Sequence, residues 1–106
     1  MTNFVDYREH IGVNPEKFFK TTLFQSSRLL LGLNCLEPGQ VQKIHSHADQ
    51  DKFYFVIEGQ GEFTVGDEKQ VAGPGLTLWT PAGIDHGVAN TGDHRLVLLV
   101  GIAPSP

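Results

Sequence analysis

The chain has 106 residues, a formal net charge of −4, and 19% charged against 40% hydrophobic residues. That suffices for one globular domain with a buried core, expected across residues 1–106, and is too little for two. The acidic balance and the lack of any Lys/Arg run argue against a nucleic-acid surface, and no apolar stretch approaches bilayer-spanning length.

The N-terminal MTNFVDYREH lacks the charged-then-apolar pattern of a leader peptide. Cys35 is the sole cysteine, so no internal disulfide can form and a cytoplasmic setting is expected. Cys35 itself reads as a small buried hydrophobe. In the N-terminal segment 1–15, a short strand is expected over residues 4–7. Pro15, in the turn Asn14-Pro15-Glu16-Lys17, can open one helical turn. Extended runs rich in β-formers follow at 18–24 and 28–36, separated by Gln25-Ser26-Ser27 and closed by Glu37-Pro38-Gly39-Gln40.

Residues 41–47 alternate, and a polar loop follows at 48–51. Phe53-Tyr54-Phe55-Val56-Ile57 is apolar on both faces, so it needs cover on both. Alternation puts Lys52, Tyr54 and Val56 on one face, expected to be the interior. It puts Phe53, Phe55 and Ile57 on the other, where a second subunit would cover them. Further strands are expected at 62–65, 76–79, 86–89 and 95–102, with a hairpin at 66–69. Nine or ten short strands with no convincing helix predict an all-β sandwich or small barrel. Trp79 is expected in the core and His94 at the surface, and His10 is given no role. Gly59-Gln60-Gly61 has no following helix, so nucleotide binding has no support.

The chemistry-bearing residues are His45 and His47, with His86 about forty residues on. Histidines at i and i+2 of a strand share a face, and a third from a neighbouring strand would close three sides of a metal site. Each histidine segment is led by glycine. The first runs Gly39, five residues, His45-Ser46-His47, then Lys52 and Gly59; the second runs Gly75, five residues, Pro81-Ala82-Gly83, His86 and Asn90.

This pair of segments, with fifteen residues between Gly59 and Gly75, resembles the two signature motifs of the cupin superfamily in its small single-domain form. The resemblance implies a cupin-type double-stranded β-helix, a jelly-roll barrel, with both motifs inside residues 39–90. It implies a divalent metal at the barrel mouth, held by His45, His47 and His86 and by a glutamate. That glutamate is missing: its position, seven residues before Gly59, is Lys52. Small cupins often pair through an apolar outer face, so a homodimer is expected.

Lys52 is the informative departure. Unit charges 6 Å apart at an effective dielectric of 20 interact by about 3 kcal/mol, so a cationic lysine weakens the metal, turns away or loses its proton. Lys43 shares alternation parity with His45 and His47 and would add charge near the rim. Three readings stay open. The histidines hold a metal whose open positions take an anionic ligand paired by Lys52; or Asp51 or Gln50 supplies a fourth ligand; or the histidines and Lys52 line a metal-free polar pocket.

The metal would be zinc, iron, manganese, copper or nickel. The expected function is binding or turnover of a small anionic organic molecule inside the barrel, by dioxygenase-like or isomerase/lyase-like chemistry. Lys52 would pair the anion or act as acid/base, and Tyr54 would offer a hydroxyl. The alternative is a non-catalytic binding or sensing module without a tightly bound metal.

Overall fold

The strand apolar on both faces lies one in from the edge of the molecule's larger sheet, hydrogen-bonded on both sides. The computed structural model describes residues 2–106. Its strands are β1 (Phe19–Gln25), β2 (Leu30–Leu36), β3 (Val41–His45), β4 (Asp51–Glu58) and β5 (Gly61–Val65), then β6 (Glu68–Ala72), β7 (Thr77–Thr80), β8 (His86–Ala89) and β9 (Leu96–Ala103). They form a five-stranded sheet in the order β1-β2-β9-β4-β7 and a four-stranded sheet in the order β3-β8-β5-β6. Every pairing is antiparallel. The arrangement is a jelly-roll double-stranded β-helix. No described helix is long and apolar enough to cross a membrane.

Between the sheets lies a core of Leu36, Tyr54, Val56, Phe63, Leu78, Val88, Leu96, Leu98 and Val100. On β4 the alternation is as expected: Lys52, Tyr54 and Val56 point inward and are buried. The outward face of β2 and β9 has its own cover. Tyr7 and Ile11 from the N-terminal segment pack with Leu33, Cys35, Val97 and Ile57. The Tyr7 hydroxyl donates to Glu58 at 2.8 Å, and Arg95 pairs with the same carboxylate at 3.1 Å. Cys35 is a buried free thiol, and burial pushes it up from its usual range.

Several local expectations fail. Residues 4–7 make no strand; the chain there enters a three-residue 3-10 turn, Tyr7–Glu9, capped by Asp6. Pro15 opens bends rather than a helical turn, because the Asn14 side chain takes the Glu16 amide at 3.0 Å in a local turn of its own. Trp79 is 59% exposed rather than in the core. It lies on the edge strand β7 opposite Phe53, which alternation turns outward, so it shares the outer face. Phe55 on that face is 38% exposed.

The strand carrying the first histidines also departs from clean alternation. Between Gln42, opposite Val88, and His45, opposite His86, the register of β3 slips by one residue. Such a bulge reverses the parity on its far side. Gln42 and His45 therefore share the inner face, and Lys43 is turned out and exposed. The expected rim charge at Lys43 is corrected for that reason.

Candidate metal centre

His45 ends β3 and sits directly opposite His86, the first residue of β8. Their ring centroids are 4.3 Å apart. His47 lies two residues past the end of β3, so the loop rather than strand alternation aims it. The loop is held in place because the His47 carbonyl accepts the Gly83 amide at 2.8 Å. The His47 ring lies 5.0 Å from that of His45 and 5.8 Å from that of His86. One ring nitrogen from each histidine falls within 4.8 Å of the others. A third histidine does therefore close the site, as the spacing suggested.

The ring hydrogen bonds decide which nitrogens are free. His45 Nδ1 is 2.8 Å from the Lys43 carbonyl, and His86 Nδ1 is 3.0 Å from that of Ile84. A carbonyl only accepts, so each Nδ1 carries the proton and each Nε2 keeps its lone pair. Nε2 of His47 and of His86 are buried without a protein hydrogen-bond partner. An orphaned buried polar atom costs about 1–3 kcal/mol, and two such nitrogens within 4.8 Å of each other and of a third imidazole nitrogen are the donor set a divalent ion takes. The residues fit a metal.

Electrostatics keep these rings ready to ligate. Burial pushes His86 down to about 4, with the charges of His45, Lys52 and His47 adding to the effect and its bond to the Ile84 carbonyl opposing it. Burial lowers His47 as well, followed by Lys52, His45 and Lys20. Both are neutral at pH 7, the only form that binds metal.

Lys52 faces the same space. It is 5% exposed, and its ammonium sits 4.8 Å from the centre of the Tyr54 ring. Burial and then the charge of Lys20 push it down to about 8. Tyr54 is wholly buried, and its hydroxyl donates to Gln42 Oε1 at 2.7 Å. Burial holds that phenol above its usual range, so it stays protonated and acts by placing Gln42.

Asp51 is not a fourth ligand. Strand alternation turns it away from Lys52, and its Oδ1 accepts the Ala82 amide at 2.9 Å on the exposed side, bracing the turn Pro81-Ala82-Gly83. Gln50 lines the cavity, its amide donating to the Pro104 carbonyl at 3.3 Å. Asn90, buried beneath the second motif, accepts from the Gly92 amide at 3.0 Å. It also donates to the carbonyls of Leu36 and His94 at 2.8 and 2.9 Å. His94 is exposed, as expected.

The site opens into a cavity of about 540 Å³ walled by His45, His47, Lys52, Gln42 and Gln50 and, from β1 and β2, by Lys20, Thr22, Asn34 and Leu30. No Asp or Glu side chain lines it among the described residues, and Pro106 contributes to its wall. Lys20, Asn34 and Gln42 were not singled out by sequence reasoning. Gln42 needed the bulge to be foreseen, and Lys20 and Asn34 needed the pairing that lays β1 and β2 over the mouth.

The cupin domain signature matches residues 32–102, and this chain belongs to that family. An uncharacterised protein of Streptomyces coelicolor is 34% identical over 74 residues, 70% of each chain. Among solved structures, TT1209 from Thermus thermophilus superposes with a TM-score of 0.94 at 41% identity, covering 99% of this chain and 100% of that one. KdgF from a Halomonas species superposes at 0.88 with 19% identity, covering 100% and 96%, a likeness of fold.

Proposed function

We propose that this cupin binds one divalent transition metal through His45, His47 and His86 and moves a proton on a small organic anion held beside it, in isomerase- or lyase-type chemistry. The observation that carries the reading is Lys52: a buried amine, depressed to about 8, in a cavity with no Asp or Glu side chain, next to three imidazoles. When bound, the metal would act as a Lewis acid toward a substrate carbonyl or enolate oxygen.

The chain's own residues do the rest. Lys52 near neutrality is poised both to give and to take a proton, which suits general acid/base work better than oxygen chemistry does. While charged, it also pairs the substrate anion. Tyr54 is a positioning residue: its phenol fixes the Gln42 carbonyl, leaving the Gln42 amide hydrogens free to donate. Asp51 and the His47 carbonyl clamp the turn after β7 and so hold His47 at the cavity.

Zinc is the ion to test first, because three imidazoles satisfy it and the site asks for no redox change. Elemental analysis of untagged native protein should find close to one metal per chain, lost in His86→Ala. No metal after incubation with zinc, iron, manganese, copper and nickel would end the metal reading. Proton transfer is read by deuterium uptake at the carbon next to the carbonyl of keto-acid and β-dicarbonyl anions in heavy water. Lys52→Met should abolish it while metal content stays. Oxygen uptake without deuterium exchange would favour dioxygenation. Ligand binding with neither would leave a non-catalytic module.

A further inference from the structure

Among the described residues the cavity wall carries two lysines and no Asp or Glu side chain. Lys52 rises from β4 beside the histidines, and Lys20 stands on β1 toward solvent. Each lies on the inner face of the five-stranded sheet. Lys20 is opposite Asn34, whereas Lys52 is opposite Ile102, which is in turn opposite Leu30. On β2, Asn34 and Leu30 are four residues apart, about 13 Å along the strand direction. The lysines thus stand at two ends of one wall, and the charge of Lys20 reaches Lys52 and depresses it further.

Between them the surface changes character. Leu30, Val100 and Ile102 make an apolar strip, and Asn34 offers a buried amide beside Lys20. A metal at the histidines would add about two more positive charges to a space that no Asp or Glu side chain lines. A single anionic group reaches only one end of this wall. Two acidic groups joined by a short hydrocarbon chain match all three zones.

We infer that the cavity takes a small aliphatic dicarboxylate, one carboxylate on Lys52 beside the histidines and the other on Lys20 and Asn34 at the mouth, its methylenes on Leu30, Val100 and Ile102. This rests on the anion-binding reading above and makes Lys20, an exposed strand lysine, a specificity-determining residue. The cost of placing two lysines in one cavity is repaid when both are paired. Selectivity comes from the group at Lys20, because a monoacid would leave that lysine and its neighbour unneutralised.

The test is calorimetric titration of metal-free and zinc-loaded native protein with glutarate, adipate, butyrate and inorganic phosphate. A diacid should bind about tenfold more tightly than butyrate, the worth of one further charge pair near the surface. Phosphate, with both charges at one point, should bind no better than butyrate. Lys20→Gln should bring the diacid down to the butyrate level, and Lys20→Glu should put it below. Lys20 is exposed, so both variants should fold like the native chain, which thermal melting checks.

Equal affinity for diacid and monoacid, a preference that survives Lys20→Gln and Lys20→Glu, or phosphate binding as well as glutarate would each overturn the inference. If zinc and butyrate still bind, and butyrate binding needs Lys52, the proposed function stands and only the dicarboxylate falls. If no acid binds the native protein in either state, both fall.

Discussion

At the scale of single residues, Lys52 is where stability and function pull apart. Folding buries an amine whose ordinary value is 10.5 and pushes it down to about 8. Below pH 8 the amine is charged in both states, and the folded chain bears the full cost. Between 8 and 10.5 the unfolded chain holds a proton that the folded one has lost, so stability rises with pH. The difference amounts to about 3 kcal/mol. Lys52→Met should therefore stabilise the metal-free protein at pH 7 by a few kcal/mol (order of magnitude). Denaturant melts of both proteins between pH 7 and 9.5 should show their stabilities converging as pH rises. A constant gap would mean that Lys52 is not desolvated in solution.

Gly59 makes a different point at the same scale. It sits at φ +84, and an added Cβ would run into the Arg95 carbonyl. Gly59→Ala therefore meets both a disfavoured backbone region and a backbone collision, and should cost at least about 2 kcal/mol in a denaturant melt. Gly39 and Gly75 are also at positive φ but have open space around the missing Cβ, so alanine there should cost only the conformational part. The glycines were legible as fixed positions of the two motifs. Which of them is also wedged against backbone depends on Arg95 and Leu96, more than 35 residues away in sequence.

Among the elements, the loops that follow β3 and β7 matter most for the site. His47 has left the strand, and its aim depends on the bond from Gly83 and on Asp51 bracing Ala82. Asp51→Ala should lower zinc affinity about tenfold, the usual effect of losing a supporting partner behind a ligand. Competition with a chromogenic chelator measures it, and unchanged affinity would show that His47 is held without that brace. Eight of the nine strands were readable from β-rich runs between turn residues, with ends within a few residues of expectation; β6 was foreshadowed only by the hairpin at 66–69, and the strand expected at 4–7 does not form. The bulge at 43–44 was not readable. Nothing in Lys43-Ile44 marks it; it arises from pairing His45 with His86 while Val41 pairs with Ala89, and that one slip exchanges Lys43 for Gln42 in the cavity.

Seen as a whole molecule, the N-terminal segment covers the outer face of β2 and β9, while the face near β4 and β7 stays open, with Trp79 59% and Phe55 38% exposed. The homodimer expected from the apolar outer residues of β4 would use this open end. Sedimentation equilibrium should then find a dimer that Trp79→Glu turns into a monomer. A native monomer at all loadings would remove the expectation.

The three histidines, the replacement of a carboxylate by Lys52 and the all-β architecture follow from residue type and spacing, because they depend on local periodicity and on a motif that tolerates little shift. The inward aim of Tyr54 and Lys52 followed from the same periodicity on β4, where no bulge intervenes before Val56. The cavity's second lysine, the outward turn of Trp79 and the bracing role of Asp51 depend on which strands become neighbours and in what register. Those contacts join residues far apart along the chain, and their energies come from burial and pairing that exist only once both sheets have closed around the core.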